Sequence, residues 1–344
     1  MLELTIKKLH LEFAAVVLVL PLVFWAGQSL GDEAKENPPF DTKVVKVKNI
    51  TNQKLEDRSA NCAKYADTYI SSVKDLRRGA RFKGSLTITV DEYAEKCIFE
   101  TNSIPNHHFN DGNQEFANQV KKVTETFEIT TRPQKASTLR ELKVSYDNGI
   151  LLNGVKLDLM AAACYCVGDE PLGEEKIGCF ADDVAWRYDP MSPINQFGAD
   201  EHNAHAQPDG AYHYHGNPHA LFNEEPNEVT EESPVIGFAA DGFPIYGPYI
   251  KDNGKIREVR SSYVLKKGKR QPHPKEACFP GGYHDGRFRD DWVYIEKAGD
   301  LDKCNGMERN GQYGYYVTNT FPWVMACFKG IPDSSFKKVE FHGH

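Results

Sequence analysis

The chain has 344 residues, of which 40% are hydrophobic, 26% are charged and 11% are aromatic, and its formal net charge is −8. This length suffices for one large domain or two ordinary ones, and the composition favours a folded, strand-rich protein over a disordered one. Apart from the short run at residues 266–270, Lys and Arg form no dense cluster, so we expect no nucleic-acid partner.

The N-terminus has the pattern of a secretory signal. Lys7 and Lys8 precede an uncharged core at residues 13–25, and the small residues that follow place the expected cleavage after Gly31. The alternative is an uncleaved membrane anchor, but this core is shorter than the roughly 20 residues that span a bilayer. We therefore predict a signal peptide over residues 1–31 and a secreted protein, anchored to a membrane only if the segment is uncleaved.

All eight cysteines follow the expected cleavage point. An even number is typical of disulfides formed in an oxidising compartment, and the Cys-x-x-Cys pairs of zinc and redox sites are absent. Cys164 and Cys166 would point to the same side of an extended chain and so pair with separate partners. The sequon at residues 49–51 makes Asn49 a candidate glycosylation site. The disulfide candidates are Cys62, Cys97, Cys164, Cys166, Cys179, Cys278, Cys304 and Cys327.

Residues 32–80 are predicted to form a leader followed by an amphipathic helix. The leader is polar, and its alternating run at residues 44–48 is at best one edge strand. From Ser59 to Arg78 the apolar residues recur at steps of three and four, with Ser59 as a candidate N-cap and Gly79 just past the end. This spacing predicts a helix over residues 59–78.

After residue 80 the pattern changes to short apolar runs separated by Gly, Pro, Asn and Asp, which predicts strands. Strands are predicted at residues 85–90, 96–100, 127–130, 149–159, 292–295 and 314–318, with turns at 148–149 and 153–154. Residues 234–248 predict a hairpin that turns at Asp241 and Gly242, with Pro244 at a sheet edge or bulge. The sequence therefore predicts a mainly β protein with disulfides, whose residues 81–341 form one large antiparallel β-sandwich or barrel-like domain after the N-terminal helix.

Four of the twelve histidines lie within residues 202–215. If residues 211–216 are extended, His213 and His215 project from one face about 6.6 Å apart at the backbone, and the tyrosines beside them face the other way. Two imidazoles so placed can chelate one ion, and His205 is the nearest candidate for a third ligand. His107, Asp241 and His219 are further candidates.

A three-histidine site with an open position suits copper or zinc, because calcium and magnesium call for carboxylate ligands. Proton chemistry alone is less favoured, since the run offers no nucleophile for a histidine base to activate. The alternative is a structural histidine pair within a tyrosine-rich sheet. Asp200 and Glu201 are more typical of solvated loop charges, and residues 300–306 are more typical of an ordinary turn than of a calcium loop.

The run Tyr-His-Tyr-His-Gly at residues 212–216, preceded by Asn203, His205, Gln207 and Pro208, resembles the signature of the YHYH family. Other blocks that resemble the family lie at residues 102–107, 236–248, 300–306 and 320–322, so the resemblance covers about residues 82–336. His284 stands where a Tyr is expected, and the segment between residues 306 and 320 is shorter than usual. The resemblance implies that the protein is exported and that it contains a YHYH domain. It does not imply a reaction.

Three functions remain open at this point. The first is a secreted, disulfide-stabilised protein that binds copper or zinc through His205, His213 and His215, with His107 as a fourth ligand or a supporting group. The second is a metal-dependent extracellular hydrolase or oxidoreductase, with Asp241 or a Tyr as proton donor. The third is a non-catalytic adhesion or matrix module that binds protein or carbohydrate. Asp241, Asn203 and Gln207 are the candidates for groups that support the ligands or act as acid or base.

Overall fold

The computed structural model describes residues 47–168, 170–174, 177–224, 229–274 and 278–338. The predicted signal peptide and its cleavage point after Gly31 lie outside these residues. The described residues belong to one compact unit, Val45–His344. Within them no helix has both the length and the apolar character needed to cross a membrane.

The described residues form short strands, and their helical segments are single 3-10 turns. In chain order the strands are β1 Val47–Asn49, β2 Asp67–Lys74, β3 Arg81–Asp91, β4 Lys96–Thr101, β5 Glu125–Thr130, β6 Arg140–Glu141, β7 Gly149–Leu151, β8 Lys156–Leu157, β9 Ala204–Ala206, β10 Tyr212–Tyr214, β11 Val235–Ala239, β12 Pro244–Tyr246, β13 Tyr249–Asp252, β14 Lys255–Glu258, β15 Tyr263–Leu265, β16 Trp292–Tyr294, β17 Gly306–Arg309, β18 Gln312–Tyr316 and β19 Cys327–Phe328. The 3-10 turns span Cys62–Tyr65, His219–Leu221, Arg289–Asp291 and Ser334–Phe336. The prediction of a mainly β protein is confirmed.

Strands β1 to β5 form one sheet in chain order. Its pairs are antiparallel except for β1 and β2, which run parallel. In β3, Leu86 and Ile88 are buried while Ser85 faces solvent, because one face of the strand packs on the core. The strands predicted at residues 85–90, 96–100 and 127–130 are confirmed as parts of β3, β4 and β5.

The helix predicted over residues 59–78 is wrong. Only Cys62–Tyr65 makes a 3-10 turn, and Asp67–Lys74 forms β2, which pairs with β3 along all eight of its residues. Within β2, Ser71 and Val73 point inward, so this segment also follows the period of a strand. Thr, Tyr, Ile and Val favour a pleated surface, and pairing with β3 outweighs the weak helical pattern.

The second sheet has eight strands in the order β17-β18-β12-β11-β7-β8-β10-β9. It is open, and two of its pairs, β8 with β10 and β12 with β18, run parallel. No closed barrel occurs among the described residues, so the barrel-like alternative and a purely antiparallel arrangement are both wrong. All five residues of β11 are buried, as expected for a strand with neighbours on both sides.

The predicted hairpin is confirmed: β11 and β12 pair antiparallel, and Gly242 takes the left-handed φ of +88° in the turn. The edge position predicted for Pro244 is wrong, because β12 lies between β11 and β18. The β11–β12 pair does contain a shift in register, but it falls between Val235 and Gly237, whereas Pro244 pairs with Phe238. Pro244 is instead the first residue of its strand, a position that tolerates the missing N–H. The turn predicted at residues 153–154 joins β7 to β8. Of the turn predicted at residues 148–149, Gly149 is instead the first residue of β7.

The two sheets share one hydrophobic core. The ring of Phe238 on β11 lies 6.4 Å from that of Phe99 on β4 and 5.7 Å from that of Tyr65 in the first 3-10 turn. These centroid distances lie in the range in which aromatic rings attract each other. The two sheets therefore support each other through β4 and β11.

All eight cysteines are paired, in the bonds Cys62–Cys97, Cys164–Cys179, Cys166–Cys278 and Cys304–Cys327. The prediction that Cys164 and Cys166 have separate partners is confirmed. The reason differs from the expected one, since Cys166 has a left-handed φ of +67° and the segment is not extended. Asn49 of the sequon is exposed at the end of β1.

Candidate metal centre

Three imidazoles lie on one face of neighbouring strands. In the antiparallel pair β9 and β10, His205 stands directly opposite His213. The amide of His215 donates to the carbonyl of Asn203 at 2.8 Å, which continues the ladder beyond β10. Because side chains alternate along a strand, His213 and His215 share the face on which His205 lies.

The Nε2 atoms of these histidines converge. The Nε2 of His215 lies 3.1 Å from that of His213 and 3.0 Å from that of His205. Four-coordinate zinc, with Zn–N bonds of 2.0–2.1 Å, would separate two nitrogens by about 3.3 Å. Among the described residues, His205, His213 and His215 are the one group of three metal-binding side chains with ligand atoms within 4.8 Å of one another.

A hydrogen bond on the far side of the His205 ring fixes its tautomer. His205 Nδ1 lies 2.7 Å from the Phe197 carbonyl oxygen, and His213 Nδ1 makes a longer contact of 3.4 Å with that of Ala211. A carbonyl only accepts, so His205 Nδ1 carries the proton and its Nε2 keeps the lone pair. Metal-binding histidines commonly donate their other N–H to a backbone carbonyl in this way.

Burial keeps the three rings neutral. It lowers the pKa of His205 below its usual value, that of His213 well below it, and that of His215 to about 3, and the neighbouring rings add to the effect at His213 and His215. Nearby Asp158 opposes the shift at His205 and His215. Since metal ligation needs the neutral imidazole, protons compete weakly for this cluster.

A family model described as YHYH protein matches residues 126–330, which is more than half of the chain. This protein belongs to the YHYH family. The matched region includes β9 and β10, and therefore all three converging histidines. No curated protein and no solved structure matches the chain.

A charged group lies beside the histidines of this YHYH protein. Strand β8 runs parallel to β10, with Lys156 in register with His213, and the amide of Asp158 donates to the Tyr214 carbonyl at 2.9 Å. Lys156 forms ion pairs with Glu125 at 2.5 Å and with Asp147 at 3.5 Å. Lys156 and Asp158 are two residues apart on an extended segment, so both project toward the face that carries the imidazoles.

Asn203 and Gln207, the candidate supporting groups, both lie at the cluster. Asn203 has a left-handed φ of +60°, and its carbonyl accepts from the amide of His215. Its Nδ2 lies 2.9 Å from the Nε2 of His219. Gln207 Nε2 donates to Asp158 Oδ2 at 3.0 Å. These two side chains therefore hold the surroundings of the imidazoles without reaching their converging nitrogens.

The structure does not bring His107 to the cluster. It lies on the opposite side of β10, where its Nε2 accepts from the Tyr214 hydroxyl at 2.5 Å and its Nδ1 donates to the His108 carbonyl at 2.7 Å. Asn153 Nδ2 donates to the same hydroxyl at 3.0 Å. Burial lowers the pKa of His107 to about 3, so this ring is a neutral acceptor for a buried tyrosine.

Asp241 and His219 also lie apart from the three histidines. Asp241 Oδ2 accepts from the Tyr315 hydroxyl at 2.6 Å and from the amide of Gly330 at 2.8 Å, so it fastens the β11–β12 turn to β18. His219 pairs with Glu224 at 2.5 Å. Neither belongs to the group of converging ligand atoms.

Asp200 departs from the solvated loop charge that its context predicts. It is buried and accepts from the Tyr212 hydroxyl at 2.8 Å, whereas its neighbour Glu201 is exposed. The turn reading of residues 300–306 is supported, because Asp302 Oδ1 accepts from the backbone amides of Cys304 and Gly306. A side chain that closes its own turn in this way is typical of an Asx turn.

Three groups at the cluster were not predicted from the sequence: Asp158, Lys156 and the Phe197 carbonyl. The run Lys156-Leu157-Asp158 carries a signal that could have found the first two, since two charged residues alternate with an apolar one in a buried strand. Nothing in the sequence reveals that β8 lies next to β10. The carbonyl of Phe197 acts through its backbone, which no side-chain pattern reports.

Replacing Tyr214 with Phe should lower the free energy of unfolding by about 2 kcal/mol and leave the metal content of the protein unchanged. The change leaves His107 Nε2 without a donor and removes one acceptor of Asn153, while the imidazoles on the other face are untouched. Urea unfolding and metal content measure the two effects. Tyr93→Phe, at a fully exposed position, is the matched control and should change neither. Loss of metal in Tyr214→Phe alone would contradict the two-faced arrangement.

Proposed function

We propose that this YHYH protein is an extracellular, disulfide-stabilised protein that binds one zinc or copper ion through the Nε2 atoms of His205, His213 and His215. The observation that supports this is the convergence of three neutral imidazoles, those of His213 and His215 buried and that of His205 half-buried, at Nε2 separations of 3.0 and 3.1 Å. One proton shared within the cluster cannot give all three lone pairs a partner, whereas one metal ion can.

The disulfides and the sequon support the extracellular part of the proposal. Four disulfides fit an oxidising compartment, and Asn49 is exposed, as an acceptor of glycan must be. The donor set alone does not choose between zinc and copper, because imidazole suits both. The affinity order favours copper, while the supply of each metal in the compartment can reverse that preference.

Elemental analysis of protein purified from an oxidising host tests the metal. We expect about one zinc or copper ion per chain in the wild type, and none in the His213→Ala, His215→Ala double variant, since a single remaining ligand binds weakly. His284→Ala is the matched control and should leave the metal content unchanged, because among the described residues the His284 ring bonds to the Gly268 carbonyl and lies outside the group of converging histidines. A wild type without metal would overturn the proposal, and loss of stability without loss of an ion would favour the adhesion or matrix module.

A metal-dependent enzyme is the second candidate. Its support is that the described residues supply three ligands to the cluster, as in catalytic zinc sites, and that His205 is partly exposed while His213 and His215 are buried. Zinc would suit a hydrolase and copper an oxidoreductase. Pulsed EPR of the copper-loaded protein in heavy water should detect exchangeable water on the ion. Finding none would exclude a centre that activates water.

A further inference from the structure

Asp158 lies next to His215 in the sheet. In the ladder between β8 and β10, Lys156 pairs with His213 and Leu157 pairs with Tyr214. The hydrogen bond from the Asp158 amide to the Tyr214 carbonyl continues this ladder. The next pair in this register joins Asp158 and His215, whose side chains share the face of the imidazoles. The influence of Asp158 on the pKa values of His205 and His215 agrees with this position.

The two oxygens of this carboxylate have different surroundings. Oδ2 accepts from Gln207 Nε2 at 3.0 Å and from Lys338 Nζ at 2.5 Å. Oδ1 is buried and has no hydrogen-bond partner among the described residues, and the whole residue is only 4% exposed. A buried carboxylate oxygen without a donor is costly, so a bound group that donates a hydrogen bond to Oδ1 would be stabilised there.

The bonds to Oδ2 also fix the direction of Oδ1. Lys338 and Gln207 approach one oxygen together, so rotating the carboxylate to satisfy Oδ1 would break two bonds. A carboxylate ion has no hydrogen to donate, so it can only accept. A partner for Oδ1 must therefore bring its own hydrogen.

We propose that Asp158 Oδ1 accepts a hydrogen bond from the ligand at the open position of the metal, and that it thereby selects ligands that carry a hydrogen. Water and hydrogencarbonate belong to this class. The inference rests on the proposed metal centre and adds the chemical class of its exogenous ligand. An anion that carries no hydrogen leaves Oδ1 without a hydrogen bond at the same position, so its binding is disfavoured relative to that of hydrogencarbonate.

Hydrogencarbonate and nitrate test this selection, because they are planar anions of equal charge and similar shape, and only hydrogencarbonate carries a hydrogen. Cobalt-loaded protein reports the binding of each through its visible spectrum. The measured quantity is the ratio of the nitrate to the hydrogencarbonate dissociation constant. In Asp158→Asn we expect this ratio to fall about tenfold, since a hydrogen bond to a charged acceptor is lost and an amide N–H can now serve nitrate.

Asp241→Asn is the matched control for Asp158→Asn. It is a second buried Asp-to-Asn change, at a carboxylate that contacts Tyr315 and Gly330, and it should preserve the ratio. Thermal unfolding of each variant establishes that it is folded.

The outcomes separate the inference from the proposed function. A ratio unchanged in folded, cobalt-loaded Asp158→Asn would overturn the role of Asp158 and leave the metal centre standing. A wild type that binds no cobalt would overturn both. If Asp158→Asn does not fold, the wild-type protein is compared with a cobalt–imidazole complex in solution. We expect the ratio of the nitrate to the hydrogencarbonate dissociation constant to be about tenfold higher for the protein. An equal ratio would refute the selection.

Discussion

Zinc at about a thousand times its dissociation constant should raise the free energy of unfolding of the wild-type protein by about 4 kcal/mol. The converging nitrogens come from β9, from β10 and from the residue after β10, so the three-ligand site exists only when these strands pair. An ion that binds the folded chain and not the unfolded one stabilises the fold by mass action. Urea unfolding with the disulfides intact, in zinc and in chelator, measures the difference.

The same measurement on variants shows where the ion binds. His213→Ala, His215→Ala should lose the increment, because two of the three proposed ligands are gone. His284→Ala should keep it. An equal increment in the double variant would mean that zinc binds elsewhere on the chain, and the site would then have to be sought outside the three histidines.

The local parts of the fold could be predicted from the sequence. In β3 and β5 apolar and polar residues alternate, and the turn at Asp241 and Gly242 favours a hairpin by its backbone chemistry. The order of strands in the eight-stranded sheet could not be predicted. Its parallel pairs join segments far apart in the chain, and the choice of such partners depends on packing that no short window contains.

The error at residues 59–78 has a definite cause. Two separate elements, a 3-10 turn and β2, together place apolar residues at helical spacing. Neither propensity nor periodicity shows that β3 offers β2 a partner along its whole length. The pairing, which depends on the rest of the chain, decides the outcome.

In the candidate site too, the residues that are close in sequence could be predicted and those that depend on long-range pairing could not. His205, His213 and His215 could be predicted as a group because one tight antiparallel pair, β9 and β10, holds them within eleven residues. His107 is distant in sequence, and the pattern around its partner, Tyr214, predicts only packing in the sheet. Asp158 could not be placed because its position depends on the parallel pairing of β8 with β10.

Replacing Gly237 with Ala should lower the free energy of unfolding by about 3 kcal/mol, at the upper end of what overpacking a core costs. Gly237 lies in β11 opposite Leu151 of β7. A Cβ there would lie 2.6 Å from the Ile150 carbonyl oxygen and 2.7 Å from the Leu151 Cα. Both are backbone atoms, so no rotation of a side chain relieves the contact, and the two strands must separate at the middle of the sheet.

Gly254→Ala is the control for the glycine-to-alanine change itself. Gly254 has a left-handed φ of +80°, and nothing lies within 4 Å of the place that an added methyl group would take, so its cost is confined to backbone strain of about 1 kcal/mol. Urea unfolding of both variants compares the two costs. Equal losses of stability would contradict the close approach of β7 and β11, whereas a much larger loss in Gly237→Ala would establish that contact between these strands leaves no room for a side chain.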